Sequence, residues 1–196
     1  MPMLRTFDIH ESCCKNKIRH RLTYLPDGVT RRDLAWDFIN ILKQEENEWD
    51  AVMDQTRFLH RHDVDWGGKP SRKFYHFILS PDPSDQISID NLQELTLRWA
   101  TDCFGGPTED DYDHNGVLGD YEVAIVYHND NGIPHSHLIV NCSNLENGKK
   151  LQMNNHMTKC VLPNLLQSIA KDMGLSHFKI WFDVEKDHSA NKAEDE

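Results

Sequence analysis

The sequence predicts an α+β domain: a central, mainly antiparallel sheet flanked by helices. Three observations predict it. Two apolar runs, Val123–Tyr127 and Leu138–Val140, flank the polar turn Asn129-Asp130-Asn131-Gly132. Asn-Gly between apolar runs is a hairpin signal, because both residues tolerate positive φ. The runs Lys73–Ser80 (KFYHFILS) and His177–Val184 (HFKIWFDV) are aromatic and aliphatic enough for further strands. Between the strands, apolar residues recur at helical spacing, and mixing of hairpins with helices marks the α+β class.

Taken in order, residues 3–9 (MLRTFDI) read as an opening strand. Lys15 to Leu25 carries Ile18, Leu22 and Leu25 on one helical stripe and ends in the turn Pro26-Asp27-Gly28. Thr30 reads as the N-cap of a next helix with Leu34, Phe38, Ile41 and Leu42 inward. A further helical stretch carries Trp49, Val52 and Met53, with Trp49 in the core. His62 to Ser71, with Gly67-Gly68-Lys69-Pro70, reads as a loop, and Pro81-Asp82-Pro83 stops the strand at Ser80. Ser88 caps a helix to Phe104 with Leu92, Leu95 and Trp99 inward. After the acidic loop Gly105–Gly119 and the hairpin, Asn147-Gly148 turns the chain and Lys150–Met153 could form a short strand. Residues 156–173 read as a helix with Val161, Leu165, Leu166 and Ile169 inward, Pro163 forcing a kink or a later start and Gly174 ending it. The expected organisation is one domain over residues 1–182 and an acidic, flexible tail over 183–196.

Composition narrows the function classes. At 38% hydrophobic and 27% charged residues, the 196-residue chain can bury a core. It shows no apolar run approaching the roughly 20 residues of a membrane span, and its N-terminus lacks an apolar signal core, which points to the cytoplasm. Five cysteines with no Cys-x-x-Cys argue against a disulfide framework or a cysteine zinc site. Net charge is −11, with acids concentrated at Glu45–Asp54, Glu109–Asp113 and the tail. Basic residues gather instead in 1–35 (Arg5, Lys15, Lys17, Arg19, Arg21, Arg31, Arg32) and in 57–79 (Arg57, Arg61, Lys69, Arg72, Lys73). A local basic face on an acidic body can still attract phosphate.

The chemistry concentrates in the hairpin. His135 and His137 are two apart on a strand and so share a face, and His128, at the end of the partner strand, can reach that face across the turn. Three neutral imidazoles bind a divalent metal and leave coordination positions open, the pattern of a catalytic site. Imidazole alone suits zinc, nickel, copper or manganese. Twelve histidines make roughly one His-x-His pair expected by chance, and His60-Arg61-His62 reads as such a surface pair. The aliphatic strand and the third histidine distinguish His135 and His137. Asp130 is a candidate ligand, or a partner that orients a histidine, or simply a turn residue. Tyr24 falls at a helix end among Lys15, Lys17, Arg19 and Arg21, whereas Tyr75 and Tyr127 lie inside strands as packing residues.

The segment HNDNGIPHSHLIVN resembles the third motif of conjugative relaxases, mobilisation nucleases of the HUH endonuclease superfamily. The motif residues here are His128, Asp130, His135, His137 and Asn141. LTYLPDG resembles the first motif, with Tyr24, and FYHFILSPDP the second, with His76 and Ser80. ENGKKLQM and the helix after it resemble the stretch beyond the metal strand, so the resemblance spans nearly all of 15–175. It implies an HUH-endonuclease-like fold and a DNA-nicking endonuclease. Tyr24 would attack a phosphodiester of single-stranded DNA at a transfer origin, leaving a 5′-phosphotyrosyl bond and a free 3′-hydroxyl. His128, His135 and His137 would hold Mn2+ or Mg2+, with Zn2+ or Ni2+ able to substitute in vitro. Asp130 and His76 are further ligands or orienting partners under this reading. Arg19, Arg21, Arg72, Lys73 and Ser80 would contact DNA, accessory mobilisation proteins would be partners, and no membrane would be involved.

The acidic charge departs from the basic character of that family, which usually continues into further domains. Alternatives therefore stay open: an inactive relative that binds nucleic acid or a partner protein, a rolling-circle replication initiator, or a metal hydrolase of a small substrate. A groove lined by Arg72 and Lys73 would favour DNA, and a deep narrow pocket the small substrate.

Overall fold

A computed structural model describes residues 2–65, 67–106, 115–129, 132–176 and the strand 179–182. The elements run β1 (Met3–Ile9), α1 (Cys13–Asn16), α2 (Ile18–Thr23), β2 (Asp33–Ile39), α3 (Trp49–Leu59), β3 (Phe74–Ser80), α4 (Ile89–Phe104), β4 (Tyr121–His128), β5 (His135–Asn144), α5 (Leu162–Asp172) and β6 (Lys179–Phe182). The sheet has six strands in the order β2-β4-β5-β3-β1-β6. Its first five are antiparallel, and β6 joins parallel to β1. The expected α+β architecture holds.

Strand alternation sends side chains to two faces, and helices cover both. On one face Phe77, Leu79, Leu138 and Val140 pack under α4 and α5, with Trp99, Phe104 and Leu166. Phe77 and Trp99 meet edge-on at 5.7 Å between centroids, the geometry that the ring quadrupoles favour. On the other face Phe74, Ala124, Val126 and Ile139 pack under α1, α2 and α3, with Ile18, Leu22, Trp49 and Met53. Trp49 and Trp99 are fully buried, and truncating either would cost about 3–5 kcal/mol. The histidines of the hairpin belong to the second face.

Four local expectations are corrected. Residues 33–39 form strand β2, not a helix. The apolar spacing of Leu34, Phe38, Ile41 and Leu42 mimics 3.6, but Trp36 and Phe38 alternate onto the second face and Leu34 is exposed. Thr30 caps nothing. Its amide and hydroxyl close a turn on Asp27, at 2.9 and 2.6 Å. The helix expected over 15–25 is broken at Lys17, which takes a left-handed φ of 54° and separates α1 from α2. Lys150–Met153 makes only the single bridge of Lys150 to Ser143.

The chain is helical from residue 155 through a wide π turn over Met157–Val161 into α5, with Pro163 in the first turn of α5, so the helix is distorted ahead of the proline rather than started later. Ser88 caps α4 as expected, accepting from the Asn91 amide at 3.1 Å. The tail, 183–196, lies outside the described residues. Among the described residues no helix is long and apolar enough to cross a membrane.

Candidate metal centre

The hairpin register places the three histidines at its turn end. His128 pairs directly with His135, and Val126 with His137. On the other side of β5, His137 pairs with Ile78 and Ile139 with His76, so β3 brings a fourth imidazole to the cluster. Ring centroids of His128, His135 and His137 lie 4.8–5.4 Å apart. One nitrogen from each ring falls within 4.8 Å of the other two. That spacing suits three ligands of one ion at about 2.0–2.1 Å each.

Bonds to carbonyls fix the proton on one nitrogen of His128 and of His135. His128 Nε2 donates to the Leu22 carbonyl at 2.7 Å, so its lone pair is on Nδ1. His135 Nδ1 donates to the Ile133 carbonyl at 2.8 Å, leaving the lone pair on Nε2. His137 Nδ1 meets His76 Nε2 at 2.8 Å, and its own Nε2 is buried with no hydrogen-bond partner. A buried nitrogen left unmatched costs stability unless something completes it. Each ring is thus held through one nitrogen, and one nitrogen of each lies close to the other two; protein partners of this kind orient metal-binding histidines.

Electrostatics keep the rings in the ligand form. Burial pushes His76 down to about 4, helped by the charges of Arg21 and His128. His137 is driven far below the usual imidazole range, first by burial, then by His76, His128, His135 and Arg32. Neutral imidazole is the species that binds a metal. Arg21 and Arg32 therefore place positive charge around the centre. Arg32 was not singled out in the sequence, where it is one of seven basic residues in a stretch without a motif.

Tyr24 caps the C-terminal end of α2 two residues after Leu22, half-buried, its ring 4.9 Å from that of His20. The Leu22 carbonyl that anchors His128 thus brings the tyrosine-bearing segment to the histidine cluster. Tyr75 and Tyr127 are buried on the opposite sheet face. Burial raises both phenols, Tyr75 to about 12, which suits them as nucleophiles still less. Asp130 lies outside the described residues.

The expected DNA-contact residues divide. Ser80 stands by alternation on the histidine face, one pairing step beyond Leu79 and Ser136. Arg21 is exposed and reaches Asn16 at 2.9 Å. Arg19 is tied to Asp50 at 2.7 Å but keeps 44% of its side chain exposed. Arg72 and Lys73 do not line a groove over the histidines. Arg72 turns to the opposite face, bonding the Tyr75 hydroxyl at 2.6 Å and Asp8 at 2.5 Å. Lys73 precedes Phe74 at the far end of β3, buried, with its ammonium on the Asp63 carbonyl at 2.6 Å. Of the surface pair, His60 is exposed, but His62 is half-buried with Nδ1 2.7 Å from the Ser143 hydroxyl.

The motif residue Asn141 is not at the metal centre. It lies toward the other end of the same face, in a buried polar network with Arg57 and Glu122. Asn141 Oδ1 accepts from Arg57 at 2.9 Å, and its amide donates to Glu122 at 2.5 Å and to the Met53 carbonyl at 3.1 Å. Sequence spacing carried no signal for Arg57 or Glu122, since no local periodicity links α3 to β4.

A search of curated proteins finds no match. Among solved structures, the chain is similar to the MobM relaxase domain bound to 23 nucleotides of plasmid pMV158 oriT DNA in a manganese-bound crystal. Identity is 14%, coverage is 97% of this chain and 94% of that one, and the TM-score is 0.48. The family model for the nuclease domain of MobA/VirD2-like relaxases matches residues 24–175. The span runs from Tyr24 through the hairpin to the end of α5, and the chain belongs to the MobA/VirD2-like relaxase family as a relaxase-type DNA nuclease domain.

Proposed function

We propose that this domain nicks single-stranded DNA at a transfer origin through Tyr24, in the mobilisation of a plasmid or other mobile element. The observation that carries the reading is the centre itself: three imidazoles, each anchored through one nitrogen, turn their other nitrogens to one point beside the tyrosine-bearing segment. His128, His135 and His137 would hold Mn2+ or Mg2+. The ion, when bound, supplies positive charge to a non-bridging oxygen of the scissile phosphate.

The residues do the rest. The Tyr24 oxygen forms a bond to phosphorus as its phenolic proton leaves to solvent. The bond from phosphorus to the 3′-oxygen breaks, and that oxygen takes up a proton to become the free 3′-hydroxyl. Arg21 and Arg32, whose charges act on His76 and His137, would supply further positive charge to the scissile phosphate. Most of what phosphoryl transfer asks is positioning and charge neutralisation. His76 holds His137 in the tautomer that leaves Nε2 for the ion, and Arg21 and Ser80 are the expected DNA contacts on this side.

The test is a covalent adduct on denaturing gels, formed with single-stranded origin oligonucleotides and Mn2+. Tyr24→Phe should abolish it. An adduct at wild-type yield in that variant would overturn the assignment, and binding without any cleavage would favour the inactive relative.

A further inference from the structure

Residues Cys13–Tyr24 form an arm, α1 and α2, that is tied to the hairpin at both ends. At its start the Asp54 carboxylate accepts the amides of Cys13 and Cys14, at 2.7 and 3.0 Å, and so caps α1. Asp54 is ion-paired to Arg57. The Arg57 side chain is fully buried and reaches Asn141 of β5 at 2.9 Å and Asp63 at 3.2 Å. In the middle Arg19 pairs with Asp50 of α3 at 2.7 Å. At its end the Leu22 carbonyl takes the His128 hydrogen bond at 2.7 Å, on β4.

We infer that Asp54 and Arg57 are positioning residues for Tyr24: they fix the far end of the arm that carries it over the metal centre. This rests on the reading of Tyr24 as nucleophile. The arm has little rigidity of its own. Its helices have four and six residues, and isolated helices shorter than about 12–15 residues are marginal in water. Lys17 breaks them apart with its left-handed backbone. Only Cys13, Ile18 and Leu22 of the arm are buried, so the polar ties decide where it sits. Arg57 suits the task because its planar fork meets Asp54, Asp63 and Asn141 at once, which a lysine ammonium cannot do. A displacement of about 1 Å at a reacting group can cost roughly 100-fold in rate.

The test uses Asp54→Asn, which keeps an acceptor for one of the two capping amides, and Arg57→Lys. Two readouts are taken on folded protein. Hydrogen exchange follows the amides of Arg21 and Tyr24, bonded to Lys17 and His20 carbonyls at 3.0 and 2.9 Å, against those of β4 and β5. Adduct formation is timed at saturating Mn2+ and oligonucleotide. The expected result is exchange about tenfold faster or more in 18–24 with the hairpin still protected, and adduct formation at least about tenfold slower while oligonucleotide Kd stays within about threefold. Wild-type exchange in the arm of both variants overturns the inference, whatever the rates do. Loss of hairpin protection together with the arm overturns it too, by making the network a general prop of the fold. If wild-type protein forms no adduct, the nicking reading falls, and the exchange readout still decides whether Asp54 and Arg57 hold the arm.

Discussion

The two ends of one sheet face hold two buried polar clusters of opposite character. At the far end Arg57, Asp54, Asp63, Asn141, Glu122 and Thr56 match one another. Asn141 makes four bonds, to Arg57, Glu122, Met53 and the Cys142 amide. Glu122 also accepts from Thr56 at 2.7 Å, and burial raises its carboxyl. At the turn end four imidazoles crowd together, and His137 Nε2 has no hydrogen-bond partner among the described residues. A saturated network has no capacity left for a ligand and serves as scaffold. A buried ring nitrogen without a partner, beside two further imidazoles, is where a ligand would be accommodated.

The sharpest way to break this contrast is to remove the unmatched ring. His137→Ala should lower Mn2+ affinity by more than about 100-fold, beyond the 10–100-fold cost of losing a residue that only orients a ligand. It should also abolish the DNA adduct. Titration calorimetry checks the first and denaturing gels the second; retained affinity would mean that the cluster is not the metal centre.

The matched end, besides holding the arm, should answer in stability when its cation is deleted outright. Arg57→Met leaves Asp54 and Asp63 without their cation and should cost about 3 kcal/mol in urea unfolding, since breaking a buried pair is costly. The same measurement on metal-free His137→Ala should show a smaller loss. The reverse order would dissolve the distinction between scaffold and site.

His76→Ala tests the anchoring of His137 and should weaken Mn2+ binding by roughly 10–100-fold with the three ligands intact. Unchanged affinity would leave His76 as a packing residue of β3.

The smallest effect is with pH. The folded-state pKa of His76 is pushed down to about 4 from an unfolded value near 6.5. Between those values the unfolded chain binds more protons, so the metal-free protein loses stability as pH falls from about 6.5 towards 4. The slope is at most about 1.4 kcal/mol per pH unit for each such histidine. Saturating Mn2+ should steepen the loss, because protons must then displace the ion as well. Urea midpoints that stay flat from pH 7 to 5 would contradict the neutral cluster.

How much of this was written locally in the chain follows from separation. The hairpin, α3, α4 and the histidine triad were legible because each is specified within a few turns or one reversal: Asn-Gly for the turn, Ser88 for the cap, His-x-His for the face. β2 was not, since Leu34, Phe38, Ile41 and Leu42 fit a helical wheel. Only pairing with β4, some 90 positions away, settles the strand. Arg72 looked like a groove residue because adjacency to Lys73 says nothing of which face a strand entrance selects. Asp8, on β1, decides it. The arm's ties were invisible for the same reason, since Asp54 lies 41 positions from Cys13.

In the strand order β2-β4-β5-β3-β1-β6, β4 and β5 are, among the described residues, the one pair of neighbours that also follow each other along the chain. Every other pairing must close a long loop, whereas this one closes over a handful of residues, at the smallest entropic cost. His128, His135 and His137, the candidate ligands, all lie on it. The candidate set therefore depends on the shortest chain closure in the sheet, not on its long loops. The bonds from Leu22 and His76, by contrast, span 106 and 61 positions, so the orientation of the rings depends on the long loops being closed.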